Sequence, residues 1–396
     1  MSKENFLSKL KDISSMDVKD IGKIFKKNNN ESNNITYKDI NTKKVNSREK
    51  SKLVLSIDLG SHSIKAVEGK IQKNVINVNK LIEVETPEGT VIDGRIIDED
   101  TIIKTLAKLI RENNIRARDV IFTTNSSSII NRDILVPSVA VEEMDTVVRY
   151  EIQQYLPINL DDYVIQFVFL DEIVDDTGMK LKVNVTAFPE RMALSYYNII
   201  NSLGLNPYVL DVTYNSINKI ANYGDYTLNN GQVIGGTVAF IDMGATSIDV
   251  SILKNGKLDF TRMLKIGGDN IDYALSEKMN ISIKSMELIK MKEVDLLETY
   301  KGDVQTLTIQ GVVDEVLDEL ERVIQFYKNK SNSSIDILYI FGGMSNIKNL
   351  ESYLNKRLNI RVSKIKEINN VNLGNDALFT KDLSLYLNAL GSIIRL

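Results

Sequence analysis

The sequence predicts an α/β fold made of two similar halves, and three observations carry that prediction. Short apolar runs alternate with longer stretches at helical spacing from Leu53 to the C-terminus. Two of the short runs, LVLSIDLG at 53–60 and GTVAFIDMG at 236–244, end in the same Asp-x-Gly turn and are each followed by another apolar run. A third run, ILYIFGG at 337–343, also enters a pair of glycines.

The elements follow in order. After the first strand and its turn, SIKAVEGKIQ returns as a second strand and VINVNKLIEVETP continues the sheet. TIIKTLAKLIREN at 101–113 has helical periodicity and precedes the strand DVIFTTN. Next come the strand RDILVP, the helix EEMDTVVRYEIQQYL and the strands YVIQFVFLDEIV and KVNVTAFP. The helix ERMALSYYNIINSLG closes on Gly204 as its C-cap. The second half begins near Gly235. Its hairpin SIDVSILKNGKLDFTRML turns on Asn255-Gly256, a strong type I′ signal. Helical patterns at 271–279 and 306–329, the strand ILYIFGG and the helix NIKNLESYLNKRL complete it.

Bulk properties exclude several classes of function. The 396 residues carry a net charge of −4, against the basic excess of a nucleic-acid binder. The absence of cysteine removes disulfides, thiolate metal sites and thiol nucleophiles, and fits a reducing cytoplasm. His62 is the single histidine, so a histidine-rich zinc site is impossible. Without an apolar run of membrane-spanning length or a signal-peptide core, a cytoplasmic protein is expected.

Residues 1–50 differ in composition. They hold 12 Lys and Arg against 7 Asp and Glu, a net +5 that leaves the rest of the chain at −9. NNNESNNITYKDINTKK at 28–44 reads as a flexible linker. Ahead of it, Phe6, Leu7, Leu10 and Ile13, then Val18, Ile21, Ile24 and Phe25, fall at helical spacing among lysines. That pattern suits a nascent helix in a poorly ordered extension better than a lipid-binding helix.

The three glycine turns carry the chemistry. They are Ile57-Asp58-Leu59-Gly60-Ser61-His62-Ser63, Ile241-Asp242-Met243-Gly244-Ala245-Thr246-Ser247 and Ile340-Phe341-Gly342-Gly343-Met344-Ser345. An Asp at a strand end suits hydrated magnesium, which takes carboxylate, water and phosphate oxygens. A Gly two positions later lets backbone N–H groups approach phosphate with no Cβ between. The hydroxyls of Ser61, Ser63, Thr246 and Ser247 can donate to phosphate oxygens, and Gly342 and Gly343 let a nucleotide lie against the backbone. A single Asp-x-Gly turn usually only caps its own backbone. Two of them about 180 residues apart, each between buried strands, are a stronger signal.

These turns resemble the phosphate-1, phosphate-2 and adenosine motifs of the superfamily of actin, heat-shock chaperones and sugar kinases. Gly267-Gly268-Asp269 and Glu287-Leu288-Ile289-Lys290 resemble the motifs that follow phosphate-2, where an E-x-x-K pair contacts adenosine. Without the resemblance, Glu287 and Lys290 read as an ordinary exposed salt bridge. Within the superfamily the chain is similar to the PilM family of type IV pilus assembly over about 53–396. RDILVPSVAVEEMDTVVRYEIQQYLPINLDDYVIQF (132–167), with its R-x-I-x-x-P start and E-x-x-x-Y-L-P end, resembles that family's small subdomain. VNVTAFPERMALSYYNIINSLGLNPYVLDV (183–212) and the F-T-R-x-x-x-x-G-G of 260–268 are also similar. The division protein FtsA shares the subdomain arrangement but ends in a membrane-binding helix, whereas this sequence ends in GSIIRL. Two features depart from the family: the 50-residue extension, and KIKEINNVNLGN (364–375), which lacks an Asn-Pro-Phe-like segment.

The resemblance implies an actin-like ATPase fold: two ribonuclease-H-like domains with an inserted small FtsA-type subdomain. The expected boundaries are 51–230, containing the small subdomain at about 86–170, and 231–396, with a last helix at about 380–396 returning to the first domain. ATP and Mg²⁺ are the implied cofactors. The implied contacts are Asp58, Gly60, Ser61, Ser63, Lys65, Asp242, Gly244, Thr246, Ser247, Gly267, Gly268, Glu287, Lys290, Gly342, Gly343 and Ser345, with Asp58 and Asp242 holding the metal through water. The implied function is a nucleotide-loaded adaptor on the cytoplasmic face of the membrane. Its partner would be the N-terminal tail of a PilN-like bitopic membrane protein, so membrane contact would be indirect. Pilus assembly ATPases and self-association are further implied contacts. Two alternatives stay open: an FtsA-like filament protein, and a small-molecule kinase of the same fold. A kinase needs a carboxylate base, for which Glu151 and Asp211 are the candidates, and no recognisable catalytic loop supplies one. ATP hydrolysis is therefore expected to be slow.

Overall fold

A computed structural model describes residues 51–395 apart from 74, 141–142, 157, 177, 223–226, 229–231, 234–235, 284, 287–294, 298–303 and 375–381. The amphipathic pattern of 1–25, the linker of 28–44 and the Glu287/Lys290 pair lie outside the described residues.

Apolar residues at 54, 55, 57 and 59 are buried, so the first strand, β1 (Val54–Leu59), needs cover on both faces. It pairs antiparallel with β2 (Ser63–Gln72), which pairs with β3 (Val75–Glu85). A short hairpin, β4 (Val91–Ile92) and β5 (Arg95–Ile96), leads to helix α1 (Glu99–Glu112). Asp98 caps that helix by accepting the Thr101 N–H, and Ile102, Leu106 and Leu109 form its buried stripe. The chain then adds β6 (Asp119–Thr124) parallel to β1.

A separate three-stranded sheet follows. It holds β7 (Ile130–Pro137), helix α2 (Met144–Tyr155), β8 (Tyr163–Asp175) and β9 (Gly178–Pro189), in the order β7-β9-β8. Its core is its own, with Val136, Val148, Ile152, Leu181, Val183 and Val185 packed together. This corrects the expected limits of 86–170. Ile102, Leu106 and Leu109 of α1 pack with Leu55 and Ile57 of β1, so 86–129 belongs with the first sheet. The small unit runs instead from 130 to 189.

Helix α3 (Glu190–Ser202) ends in Gly204 at φ +67°, the left-handed cap read from the sequence. Strand β10 (Asn206–Val212) then joins β6 in parallel, and helix α4 (Thr213–Asn222) follows directly. A short ladder, β11 (Thr227–Leu228) with β12 (Gln232–Val233), precedes the second half.

There the strand order repeats. β13 (Thr237–Met243) pairs antiparallel with β14 (Ile248–Lys254), and β14 with β15 (Lys257–Leu264). Asn255 and Gly256 both take positive φ, as a type I′ turn requires. Helices α5 (Gly268–Met279) and α6 (Val304–Ser331) come before β16 (Ile337–Phe341), which lies parallel to β13. Helix α7 (Leu350–Leu358) leads to β17 (Arg361–Lys364), parallel to β16. The two sheets thus share one plan, β3-β2-β1-β6-β10 and β15-β14-β13-β16-β17. β18 (Val371–Leu373) crosses back to extend the first sheet beside β3. The last helix, α8 (Leu387–Ile393), packs on β1, β2, β6 and α4. One core cluster runs between the sheets: Val67 and Val78 of the first meet Val238 and Phe240 of the second through Ile217, Ile220, Leu390 and Ile393. Among the described residues no helix is long and apolar enough to cross a membrane.

Candidate nucleotide and metal cleft

In each sheet the central strand ends in an Asp, and its parallel neighbours end on the same side. Asp58 sits in register with Lys65 of β2 and Thr123 of β6. Asp242 sits in register with Asp249 of β14 and Phe341 of β16. The carboxyl ends of parallel strands are where open α/β sheets bind ligands. Here two such ends meet. Asn388 of α8 donates its side-chain N–H groups to Asp58 Oδ2 at 3.3 Å and to Asp242 Oδ2 at 2.8 Å. The loops also touch, Ser61 Oγ and Thr246 Oγ1 being 3.1 Å apart.

The two loops share a local geometry. A Cβ on Gly60 would lie 2.8 Å from the Ser63 carbonyl oxygen, and one on Gly244 would lie 2.8 Å from that of Ser247. Each turn therefore folds back on itself in a way a side chain would block. Thr86 braces the first loop, donating its hydroxyl to the Gly60 carbonyl (2.8 Å) and its N–H to that of His62 (2.9 Å). The start of α5 braces the second: the Gly268 and Asp269 N–H groups reach the carbonyls of Gly244 and Ala245 at 3.0 and 2.9 Å. Gly267 is needed at that junction, because a Cβ there would strike the Ala245 carbonyl.

Three expectations change in detail. The Ser63 hydroxyl donates to Glu83 Oε1 of β3 at 2.9 Å, which ties it to the sheet. Ser345 is buried and donates to the Gly342 carbonyl at 2.6 Å, closing the third turn on itself. Gly342, at φ +85°, would bring a Cβ to 2.5 Å from Asp242 Oδ1, so its bareness first serves the approach to that carboxylate. Gly343 has open space around its Cβ position, and Lys65 and Ser247 flank the cleft from β2 and the second loop.

The electrostatics follow from crowding carboxylates in a poorly solvated place. Burial raises the Asp58 pKa above the usual carboxylate range, while Lys65 and the Asn388 N–H act the other way. Asp242 is pushed up to about 6, first by burial, with the Asp58 charge adding to it. Asp249 is pushed up to about 7, again by burial and then by Asp242. Buried Asp249 Oδ1 and Asn388 Oδ1 have no hydrogen-bond partner. Neither residue stands out in the sequence. Asp249 shares a hairpin with Asp242 at the register of the second turn, a signal that was available. Asn388 lies 330 positions from Asp58, and nothing local marks it.

Beyond the loops, a cavity of about 660 Å³ is lined by Asn125, Ser126, Tyr214, Asp249, Arg262 and Lys265 among others. Of the two carboxylates considered as kinase bases, Asp211 is buried and held by Lys219, Asn215 and Ser216. Glu151 lies on α2 of the small unit. Two Asp residues under one amide, tightly folded glycine turns beside them, open space at Gly343 and orphaned polar oxygens fit a hydrated divalent cation carried by a phosphate ligand. Among the described residues no group of three or more His, Cys, Asp or Glu side chains could hold a metal ion directly.

Comparison with known proteins places this arrangement. The PilM–PilN type IV pilus biogenesis complex superposes with a TM-score of 0.72 at 22% identity, over 86% of this chain and 98% of that one. The ethanolamine utilization protein EutJ of Carboxydothermus hydrogenoformans gives 0.50 at 14% identity, over 88% and 93%. The fold is the actin-like ATPase fold. In sequence, the cell division protein FtsA of Bacillus subtilis (strain 168) is 24% identical over 320 residues, 72% of this chain and 70% of FtsA. The family described as type IV pilus assembly protein PilM matches residues 56–395, and the chain belongs to that family.

Proposed function

We propose that the chain binds Mg-ATP between its two Asp-x-Gly loops and acts as an adaptor in type IV pilus assembly. The observation that carries this reading is the meeting of Asp58 and Asp242 under one amide, with both glycine loops braced around them. Bound nucleotide would supply the phosphate and metal charge that links the loops. The backbone N–H groups after Gly60 and Gly244 would orient the phosphates, and Ser61, Thr246 and Ser247 would donate to them. Asp58 and Asp242 would hold the cation's water shell. ATP then serves as a ligand that selects one arrangement of the two halves.

The partner end of the adaptor is the small unit. Large apolar side chains stand exposed on it at Leu135, Tyr150, Tyr155, Ile173, Val174 and Met179. Among the described residues its sheet ends on two outer strands, β7 and β8, and at such an edge an extended peptide gains main-chain hydrogen bonds and side-chain pockets. A PilN-like cytoplasmic tail is the proposed occupant, and it would bring this chain to the membrane indirectly. Fluorescence anisotropy with a labelled tail peptide tests the reading. Deleting 1–50 is expected to leave binding intact, whereas replacing 132–186 by a short linker abolishes it and spares ATP binding. Loss of peptide binding on deletion of 1–50 alone would move the docking element to the extension.

A further inference from the structure

The last helix contributes a group to the cleft that none of the glycine turns announces. Asn388 is 6% exposed. Its nitrogen serves both carboxylates, and its carbonyl oxygen has no partner. A buried amide with one end satisfied and the other orphaned is costly unless something completes it. The helix that carries it is firmly seated. Ser392 Oγ meets Ser56 Oγ of β1 at 2.6 Å, and Gly391 packs directly on the Ser216 carbonyl of α4. Asn388 is thus held by the first half while it grips an Asp of the second.

We infer that Asn388 is the positioning residue of the metal site. It fixes one oxygen of Asp58 and one of Asp242 in a set relation and offers its free carbonyl oxygen to a water of a hydrated divalent cation. The inference rests on the Mg-ATP reading of this cleft. Two like charges side by side repel, and a shared donor relieves that repulsion. Removing the donor leaves the cation to gather the carboxylates unaided. The loss therefore falls on the metal-dependent part of nucleotide binding.

The test is calorimetric titration of ATP with excess Mg²⁺ and with EDTA, on the full chain and on Asn388→Ala and Asn388→Asp. Metal-free thermal midpoints of all three accompany it. In Asn388→Ala the ratio of Mg²⁺ to EDTA affinity is expected to fall about tenfold or more, with EDTA affinity changed by no more than about twofold. Asn388→Asp keeps the size but replaces the donors with a third carboxylate. It is expected to have the lowest metal-free midpoint and the largest recovery on adding Mg²⁺. Equal losses with and without Mg²⁺ would mean packing alone and overturn the inference. So would an Asn388→Asp midpoint equal to wild type. If Asn388→Ala does not fold, Asn388→Ser carries the same affinity test. Failure of the wild type to bind ATP in either condition overturns the nucleotide reading and this inference with it.

Discussion

Asp249 stands opposite Asp242 in the β13–β14 ladder, so two carboxylates share one poorly solvated edge. Both titrate above the ordinary carboxylate range, at about 7 and about 6. Between pH 4 and 7 the folded protein then holds protons that the unfolded chain has released. By linkage, stability falls as pH rises through that window and is lowest once both groups are ionised. Asp249→Asn removes one of the two charges at nearly constant shape. The variant is expected to be more stable than wild type at pH 8, by a few kcal/mol at about 1.4 kcal/mol for each pH unit by which the carboxyl is raised, and close to it near pH 4. Metal-free thermal melts at the two pH values check this. An equal effect at both would show that charge is not the cause.

At the scale of elements, the junction of β10 and α4 carries a buried ion pair. Lys219 meets Asp211, which also accepts from Asn215 at 2.7 Å and from the Val212 N–H at 2.9 Å. Burial works against the Asp211 carboxylate, but the Lys219 ammonium and these donors outweigh it and hold its pKa low. Breaking such a pair from one side leaves an uncompensated buried charge. Lys219→Met is expected to cost about 3–5 kcal/mol in urea unfolding, and pairing it with Asp211→Leu should recover much of that. If the double variant is no better than the single, packing sets the cost, not charge. This pair also shows where sequence reading stops. The strands, the Gly204 cap and the Asn255-Gly256 turn are written in local residue order, and they stand where local order puts them. The limits of the small unit depend on which sheet α1 covers. Its stripe of Ile102, Leu106 and Leu109 would suit either, so only packing decides.

Over the whole molecule, the repeated strand plan explains why the site was half legible. Each half ends its central strand in Asp and glycine, so the two phosphate-loop candidates appear in the sequence as a pair. What joins the pair does not. The Ser61–Thr246 contact spans 185 positions, and the amide under both carboxylates comes from the last helix. Those links exist only after both sheets have folded and α8 has returned to the first. The hydroxyls of Ser63 and Ser345 were legible as donors but not as donors already committed to Glu83 and Gly342. In the proposed function two carboxylates, one from each half, serve a single Mg-nucleotide. The measurement that bears on it most directly is calorimetry of Mg-ATP with Asp58→Ala and Asp242→Ala. Each single variant is expected to weaken binding strongly, about 10-fold or more, and the double variant to lose little beyond either single, because the two act as one site. Wild-type affinity in both single variants would contradict the account.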